Sequence, residues 1–396
     1  MTRRLSWTGG LSLAALSLAA CTSGTSSAPA SASTTLAAGP TKQEQVLRGR
    51  AIVTFNACGD CHGPGTGNPA GAGWLAGWKS PVQDFPVGPF MTRPRNLTPD
   101  SATGTGRYTE RQIFNALRYG LRPSATPDVE ITSSTAGQGN HPAKPNYLAP
   151  SMPWAAWRHM PDADLWAIAA YLKHGLKPVT NKVEDSQAPP DMWASEVTPD
   201  KIGSYPAAPF PQASEVAGQG DQAKVLRGRE LIINKDCGGC HVGGPNPAAP
   251  GFLAGITTPQ GEIPIGPFKV RPRNLTPDNL TGMGRFTERQ IFNALRFGLR
   301  PGETPDVEIT STLPGQGNHP ANPKYLAIPM PWPSWRHMPD EDLWAIAAYL
   351  KNGLKPVANR VQDSDGPPDF WMSEYTVEKI GPYPAAPHPT ANEKTP

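Results

Sequence analysis

Cys58-Gly59-Asp60-Cys61-His62 and Cys237-Gly238-Gly239-Cys240-His241 are the stretches from which the rest of this chain can be read. Each sets two thiols one helical turn apart and places an imidazole directly after them. That spacing suits covalent attachment to a porphyrin, because two such thiols reach the vinyl groups on one edge and the next side chain projects over the ring to the iron. Two such stretches imply two covalently attached haem c groups. Cys58, Cys61, Cys237 and Cys240 would be the thioether residues, and His62 and His241 the iron ligands. A dithiol redox motif normally lacks the following His, and a zinc site would need four N/S ligands per copy. The fifth and last cysteine is Cys21, so no pair remains for a structural disulfide.

Outward from these motifs the chain is one unit written twice. Leu47-Arg48-Gly49-Arg50 returns as Leu226-Arg227-Gly228-Arg229, an offset of 179. Arg95 to Asp100 returns as Arg273 to Asp278, an offset of 178, and Met152-Pro153-Trp154 returns as Met330-Pro331-Trp332. Units of this length are tandem domains rather than short solenoid repeats. The expected division is a domain at 42–211, a polar linker at 212–222 and a second domain at 223–396. Three helices are expected per copy. The first runs into the cysteine motif (43–57 and 222–236). The second opens at Thr109 with Gln112 three residues on, a capping-box pattern, and stops at Gly120. The third follows Met160-Pro161-Asp162, with Pro161 as first helical residue, an apolar stripe of Leu165, Ile168, Ala169 and Leu172, and a stop at Gly175. No convincing strand is legible, so the fold class is all-α with long Pro/Gly-rich loops.

Composition agrees. Pro (48) and Gly (40) are abundant in the 396 residues, which calls for long irregular segments, but 11 Trp, 11 Phe and 9 Tyr are enough for real cores. A haem, as a large apolar body, gives such segments something to pack around. The net charge of +3 comes with no basic run, which leaves nucleic-acid binding without an electrostatic footprint. At the start, Arg3-Arg4 precedes an apolar stretch from Leu11 to Ala20, too short to span a membrane and of signal-peptide length. Its end, Leu18-Ala19-Ala20-Cys21, resembles a bacterial lipobox. This implies a lipoprotein signal peptide at 1–20, lipidation of Cys21 and a Ser/Thr/Ala-rich flexible tether at 21–41. The expected location is exported and periplasm-facing, anchored by lipid to a bacterial membrane, with Thr22 favouring the outer one.

The second axial ligand must come from repeated candidates: Met152/Met330, Met160/Met338, His141/His319 or His159/His337. A Met opposite His raises the potential of a cytochrome haem. Met152 lies 19 residues before Tyr171 and is followed by proline, which stiffens the loop. Met160 and Met338 read as core plugs beneath the last helix, His141/His319 as the rival bis-His ligands, and His159/His337 as surface or propionate-side groups. Arg93/Arg95 and Arg271/Arg273 are candidates for binding haem propionates through their planar forks.

The same segments resemble the cytochrome c subunits of membrane-bound alcohol and sugar dehydrogenases and related class I cytochromes c. The resemblance rests on Cys58–His62, Asn96–Asp100, Thr103–Gly106, Arg118-Tyr119-Gly120, Met152-Pro153-Trp154, Ala170-Tyr171-Leu172 and Pro178-Val179, and on their second-copy counterparts. It implies two tandem class I cytochrome c domains and puts the family's axial Met on Met152 and Met330. Those dehydrogenase subunits carry three haems, whereas two motifs occur here, and the loops at 124–150 and 302–329 are longer than the pattern. The expected function is single-electron transfer between periplasmic or membrane redox proteins, without catalysis. The alternatives are a dihaem peroxidase-like enzyme, which would need one open haem and an asymmetric acid/base cluster, and a fixed subunit of a dehydrogenase or respiratory complex.

Overall fold

The computed structural model describes residues 39–396 apart from 64–66, 79–83, 186–192, 266 and 364–370. The expected signal peptide, Cys21 and all but the end of the tether lie outside the described residues. Residues 40–396 pack as one compact, mostly helical unit, and no helix among the described residues is long and apolar enough to cross a membrane.

The first helix of each half is Lys42–Phe55 or Gln222–Asn234. Both end two residues earlier than the sequence suggests. Ala57 (φ 57°) and Asp236 (φ 54°) take the left-handed conformation, breaking the helix so that each cysteine motif starts a short helix of its own, Cys58–His62 and Cys237–His241. The middle helices, Glu110–Tyr119 and Glu288–Phe297, begin at the expected capping boxes, Thr109 with Gln112 and Thr287 with Gln290, and end at left-handed Gly120 and Gly298. The last helices are Asp162–Ala170, prolonged by a π turn over Tyr171–Gly175, and Asp340–Asn352. Pro161 and Pro339 are extended caps rather than first helical residues, which leaves Asp162 and Asp340 to meet the positive helix end.

First and last helices cross at a glycine. A Cβ on Gly49 would lie 1.9 Å from the Ala167 carbonyl oxygen, and one on Gly228 would lie 1.9 Å from that of Ala345. Only a bare backbone lets the two helices approach so closely. Around each crossing sits a separate apolar core, holding Val46, Leu165 and Tyr171 in the first half and Val225, Leu343 and Tyr349 in the second.

Two small hairpins are the departure from an all-α reading. Phe85–Val87 pairs with Phe90–Thr92, and Ile263–Ile265 with Phe268–Val270. Each strand has only three residues and one strand of each pair has a proline at its centre, too short for alternation to be seen.

The halves also exchange their ends. Glu393, near the C-terminus of the second repeat, is buried in the first half (1% exposed), where Arg50 Nε and the Tyr171 hydroxyl each donate to Oε1 at 2.6 Å. Glu215 makes the same pair of contacts in the second half, from Arg229 and Tyr349, both at 2.6 Å. Glu215 falls in the expected linker 212–222, so this stretch carries a buried anchor rather than running free. Backbone bonds repeat the exchange, from Lys177 N to Asn392 O and from Lys355 N to Ser214 O, both 2.9 Å. Contacts that recur with the roles of the halves reversed define an internal two-fold relation.

Candidate functional site

His62 and His241 are held by the same device. Each Nδ1 faces a backbone carbonyl, His62 that of Arg95 at 2.7 Å and His241 that of Arg273 at 2.6 Å. A carbonyl only accepts, so Nδ1 carries the proton and Nε2 keeps its lone pair for a metal. Burial also holds both imidazoles below their ordinary pKa, favouring the neutral form a metal requires.

That carbonyl is positioned by the adjoining Asn-Leu-Thr-Pro-Asp loop. Asn96 Nδ2 donates to Thr103 Oγ1 at 3.0 Å and to the Val179 carbonyl at 2.7 Å, and Val179 N donates back to Thr98 Oγ1 at 3.1 Å. Asn274, Thr281, Thr276 and Val357 repeat the network. The loop is thereby pinned to the segment after the last helix, and the residue before the Asn aims its carbonyl at the histidine.

In the second half, Cys237, Cys240, His241 and Met330 line one cavity of about 740 Å³. Its walls include Leu275, Phe286, Leu295 and Trp335. Size and lining suit a bulky apolar cofactor. Charged side chains around it comprise six cations (Lys235, Arg271, Arg273, Arg285, Arg300 and Arg360) against three acids (Asp236, Glu303 and Asp363). Burial, followed by the repulsion of Arg300, Arg285 and Arg271, brings the Arg273 guanidinium down to about 10. An excess of crowded cations fits a cofactor that brings two carboxylates, as a haem does. Arg273 itself donates to the Val361 carbonyl at 2.7 Å and pairs with Asp363, and Arg271 pairs with Glu262. Arg285 and Arg300 were not legible as part of this group, because they lie 12 and 27 residues from Arg273 with no shared motif.

In the first half the equivalents Cys58, Leu97 and Met152 each pack against its core. Arg95 donates to the Val183 carbonyl at 2.7 Å and pairs with Asp185, while Arg93 pairs with Asp84. None of the four cysteines is in a disulfide. Burial raises the Cys58 and Cys237 thiols to about 12, the opposite of the lowered pKa a redox dithiol needs.

The competing ligand candidates lie elsewhere. His319 is buried against Phe297, with its Nδ1 at the Pro320 carbonyl, and does not line the cavity; His141 is placed alike against Tyr119. Met160 and Met338 are 4% and 2% exposed, inside the cores. His159 and His337 are not surface groups: they pack on Tyr205 and Tyr383, and burial pushes both down to about 3.

Two buried arginines brace the segment that follows Met152. Arg118 donates to the carbonyls of Arg158 and Met160, pairs with Asp162 and donates to the Tyr205 hydroxyl at 2.8 Å. Arg158 donates to the carbonyls of Ile202 and Gly203, both at 2.8 Å. Trp154 stacks on Tyr147 with ring centroids 5.7 Å apart and fills the space beside Gly120, where a Cβ would meet the indole at 2.1 Å. Arg296, Arg336, Trp332 and Gly298 repeat this frame. Sequence showed these residues as repeated, but not that they brace the segment after Met152.

Residues 46–175 match the cytochrome c family. The chain is 27% identical to the cytochrome c subunit of gluconate 2-dehydrogenase from Pantoea cypripedii, over 83% of this chain and 65% of that one. It is also 27% identical to the cytochrome c subunit of the quinone-dependent alcohol dehydrogenase from Komagataeibacter europaeus, over 79% and 56%. The fructose dehydrogenase cytochrome subunit of Gluconobacter japonicus is 25% identical, over 78% and 52%. The chain thus spans between about half and just under two thirds of the length of these relatives.

Proposed function

From a cytochrome c domain over residues 46–175 and its close repeat in the second half, we propose that this chain is a dihaem c-type electron carrier of two tandem domains, 42–211 and 223–396. Haem c supplies a one-electron iron couple when bound. The chain's own residues do the rest. Cys58/Cys61 and Cys237/Cys240 would attach it, and the Arg95 and Arg273 carbonyls hold His62 and His241 in the metal-binding tautomer. Met152 and Met330 would supply a thioether sulfur, a ligand type that favours the reduced state, and the apolar walls would exclude water. Arg285 and Arg300, with Arg95 and Arg273 exchanging their acid partners Asp185 and Asp363, would neutralise the propionates.

The observation that carries this reading is the shared cavity, where one space is lined by both thiols, the oriented His241 and Met330. Every ligand candidate is duplicated, which speaks against the asymmetric pair of a peroxidase. The similarity to dehydrogenase cytochrome subunits supports a second element of the proposal: the electron donor is a dehydrogenase, to which this chain is bound as a partner or subunit. Lipid anchoring through Cys21, facing the periplasm, would keep it at a membrane beside such redox proteins.

The test is an optical and EPR spectrum of purified protein with haem counted by mass. Two haems and the weak far-red charge-transfer band of Met-ligated ferric haem are expected. The band should fall by half in Met152→Ala and vanish when Met330→Ala is added. A colourless protein, or one whose band survives both substitutions, refutes the assignment. Co-purification with a dehydrogenase tests the partner.

A further inference from the structure

The two cysteine motifs meet near the internal two-fold axis. Two places before the first thiol stands Asn56 in one half and Lys235 in the other. These counterparts touch: Lys235 Nζ donates to Asn56 Oδ1 at 2.6 Å. In a two-fold arrangement only residues on the axis meet their own equivalents, so this contact marks the axis. On either side of it, helix 42–55 packs on 332–335 and helix 222–234 on 154–157.

Lys235 is the asymmetric member of that pair. Its amine sits 4.3 Å from the centroid of Phe55, across the axis, while the same side chain lines the second-half cavity. Its charge acts on Cys58 and on Cys237 alike. Among the described residues no carboxylate pairs with it, since the nearby Asp342 is engaged by Arg227 at 2.8 Å. Asp60 and Asp236 also adjoin the motifs, but each lies within a single motif. Asp60 reaches across only to the Ser334 hydroxyl at 3.4 Å, a contact with no counterpart because the equivalent positions are Gly239 and Ala156.

We infer that Lys235 is a shared positioning residue: a single cation on the axis, between the two attachment points, that raises the reduction potential of both haem sites together. The inference rests on the two-haem reading above. Burial pushes the Lys235 amine down to about 7, so the comparison is made at pH 6, where the amine is mostly protonated; a positive charge there favours the reduced state of an iron because that state carries one less positive charge. At an effective dielectric of about 20, a unit charge about 10 Å away changes a one-electron equilibrium by on the order of tenfold. A residue serving one site alone could not move both.

The test uses the full-length, haem-loaded protein at pH 6 and a spectroelectrochemical titration that resolves both midpoints. Lys235→Asn restores an Asn–Asn pair on the axis. It should lower both reduction constants by about tenfold, which is about 59 mV for one electron. Lys235→Arg keeps the charge and should leave both midpoints close to wild type. Movement of one midpoint alone, of neither, or of both equally in the Arg variant overturns the inference. Should Lys235→Asn fail to load haem, Lys235→Gln, which keeps the chain length closer, is read in the same way. Haem mass and the far-red band are recorded on wild-type protein alongside. A haem count other than two defeats the underlying reading, whereas two haems with unmoved midpoints defeats only the role of Lys235.

Discussion

Replacing Glu393 with Ala tests whether the end of the second repeat belongs structurally to the first. The carboxylate has a fully buried side chain and accepts from Arg50 Nε, from the Tyr171 hydroxyl and, through its other oxygen, from Thr390 N at 2.9 Å. Tyr171 in turn accepts from Trp74 Nε1 at 3.0 Å, so the network runs into the centre of the first core. Removing the acid leaves the Arg50 guanidinium, only 12% exposed, without its counter-charge and the tyrosine hydroxyl without its acceptor. Breaking one side of a buried ion pair costs about 3–5 kcal/mol. An exposed pair such as Lys379–Glu374, at 50% and 37% exposure, is worth at most about 1 kcal/mol and is the internal control. The assay is guanidinium denaturation of purified protein, followed by the far-red band in a Met330→Ala background so that only the first half reports. Glu393→Ala should move that transition by the larger amount and Glu374→Ala should barely move it. Glu215→Ala, read in a Met152→Ala background, should do to the second half what Glu393→Ala does to the first. A Glu393→Ala loss below about 1 kcal/mol in the first half, or a larger loss when the second half is read in the Met152→Ala background, would refute the exchange of ends.

Gly49→Ala and Gly228→Ala should each destabilise their own half by about 1–3 kcal/mol or more, measured by thermal melting, because the new methyl meets a carbonyl of the last helix. Arg118→Met should cost at least about 2 kcal/mol by stranding the buried carbonyls of Arg158 and Met160, and should weaken the Met152 contribution to the far-red band. Asp100 is held below the ordinary carboxylate pKa, first by the Thr103 hydroxyl and then by the Thr103 backbone N–H; Asp278 is held likewise by Thr281. A depressed folded pKa gives stability that is present above the unfolded value of about 3.9 and is lost as pH falls through the folded value. The stability gap between wild type and Asp100→Asn/Asp278→Asn should therefore be full at pH 7 and shrink below about pH 4 in acid-unfolding curves.

Much of the local structure follows from short-range chemistry. Capping boxes at Thr109 and Thr287, stops at Gly120 and Gly298 and the two attachment motifs depend on residues three or four apart, and each is visible in the chain as written. Repetition located the site residues a second time. Sequence patterns alone also overextended the first helices, because nothing in Ala57 or Asp236 announces a left-handed backbone, and passed over hairpins of three-residue strands.

The sequence by itself therefore determined the class of cofactor chemistry, the helical framework and the repetition of one unit, since all three rest on local spacing or on similarity between halves. Only the tertiary structure decided that Glu393 closes the first half and Glu215 the second. It also decided that Arg285 and Arg300 join Arg273 at the cavity, and that Lys235 meets its own counterpart Asn56. These partners are separated by a dozen to hundreds of residues, and the packing of the helices and of the exchanged ends brings them together. No local pattern encodes which buried charge will find which distant partner.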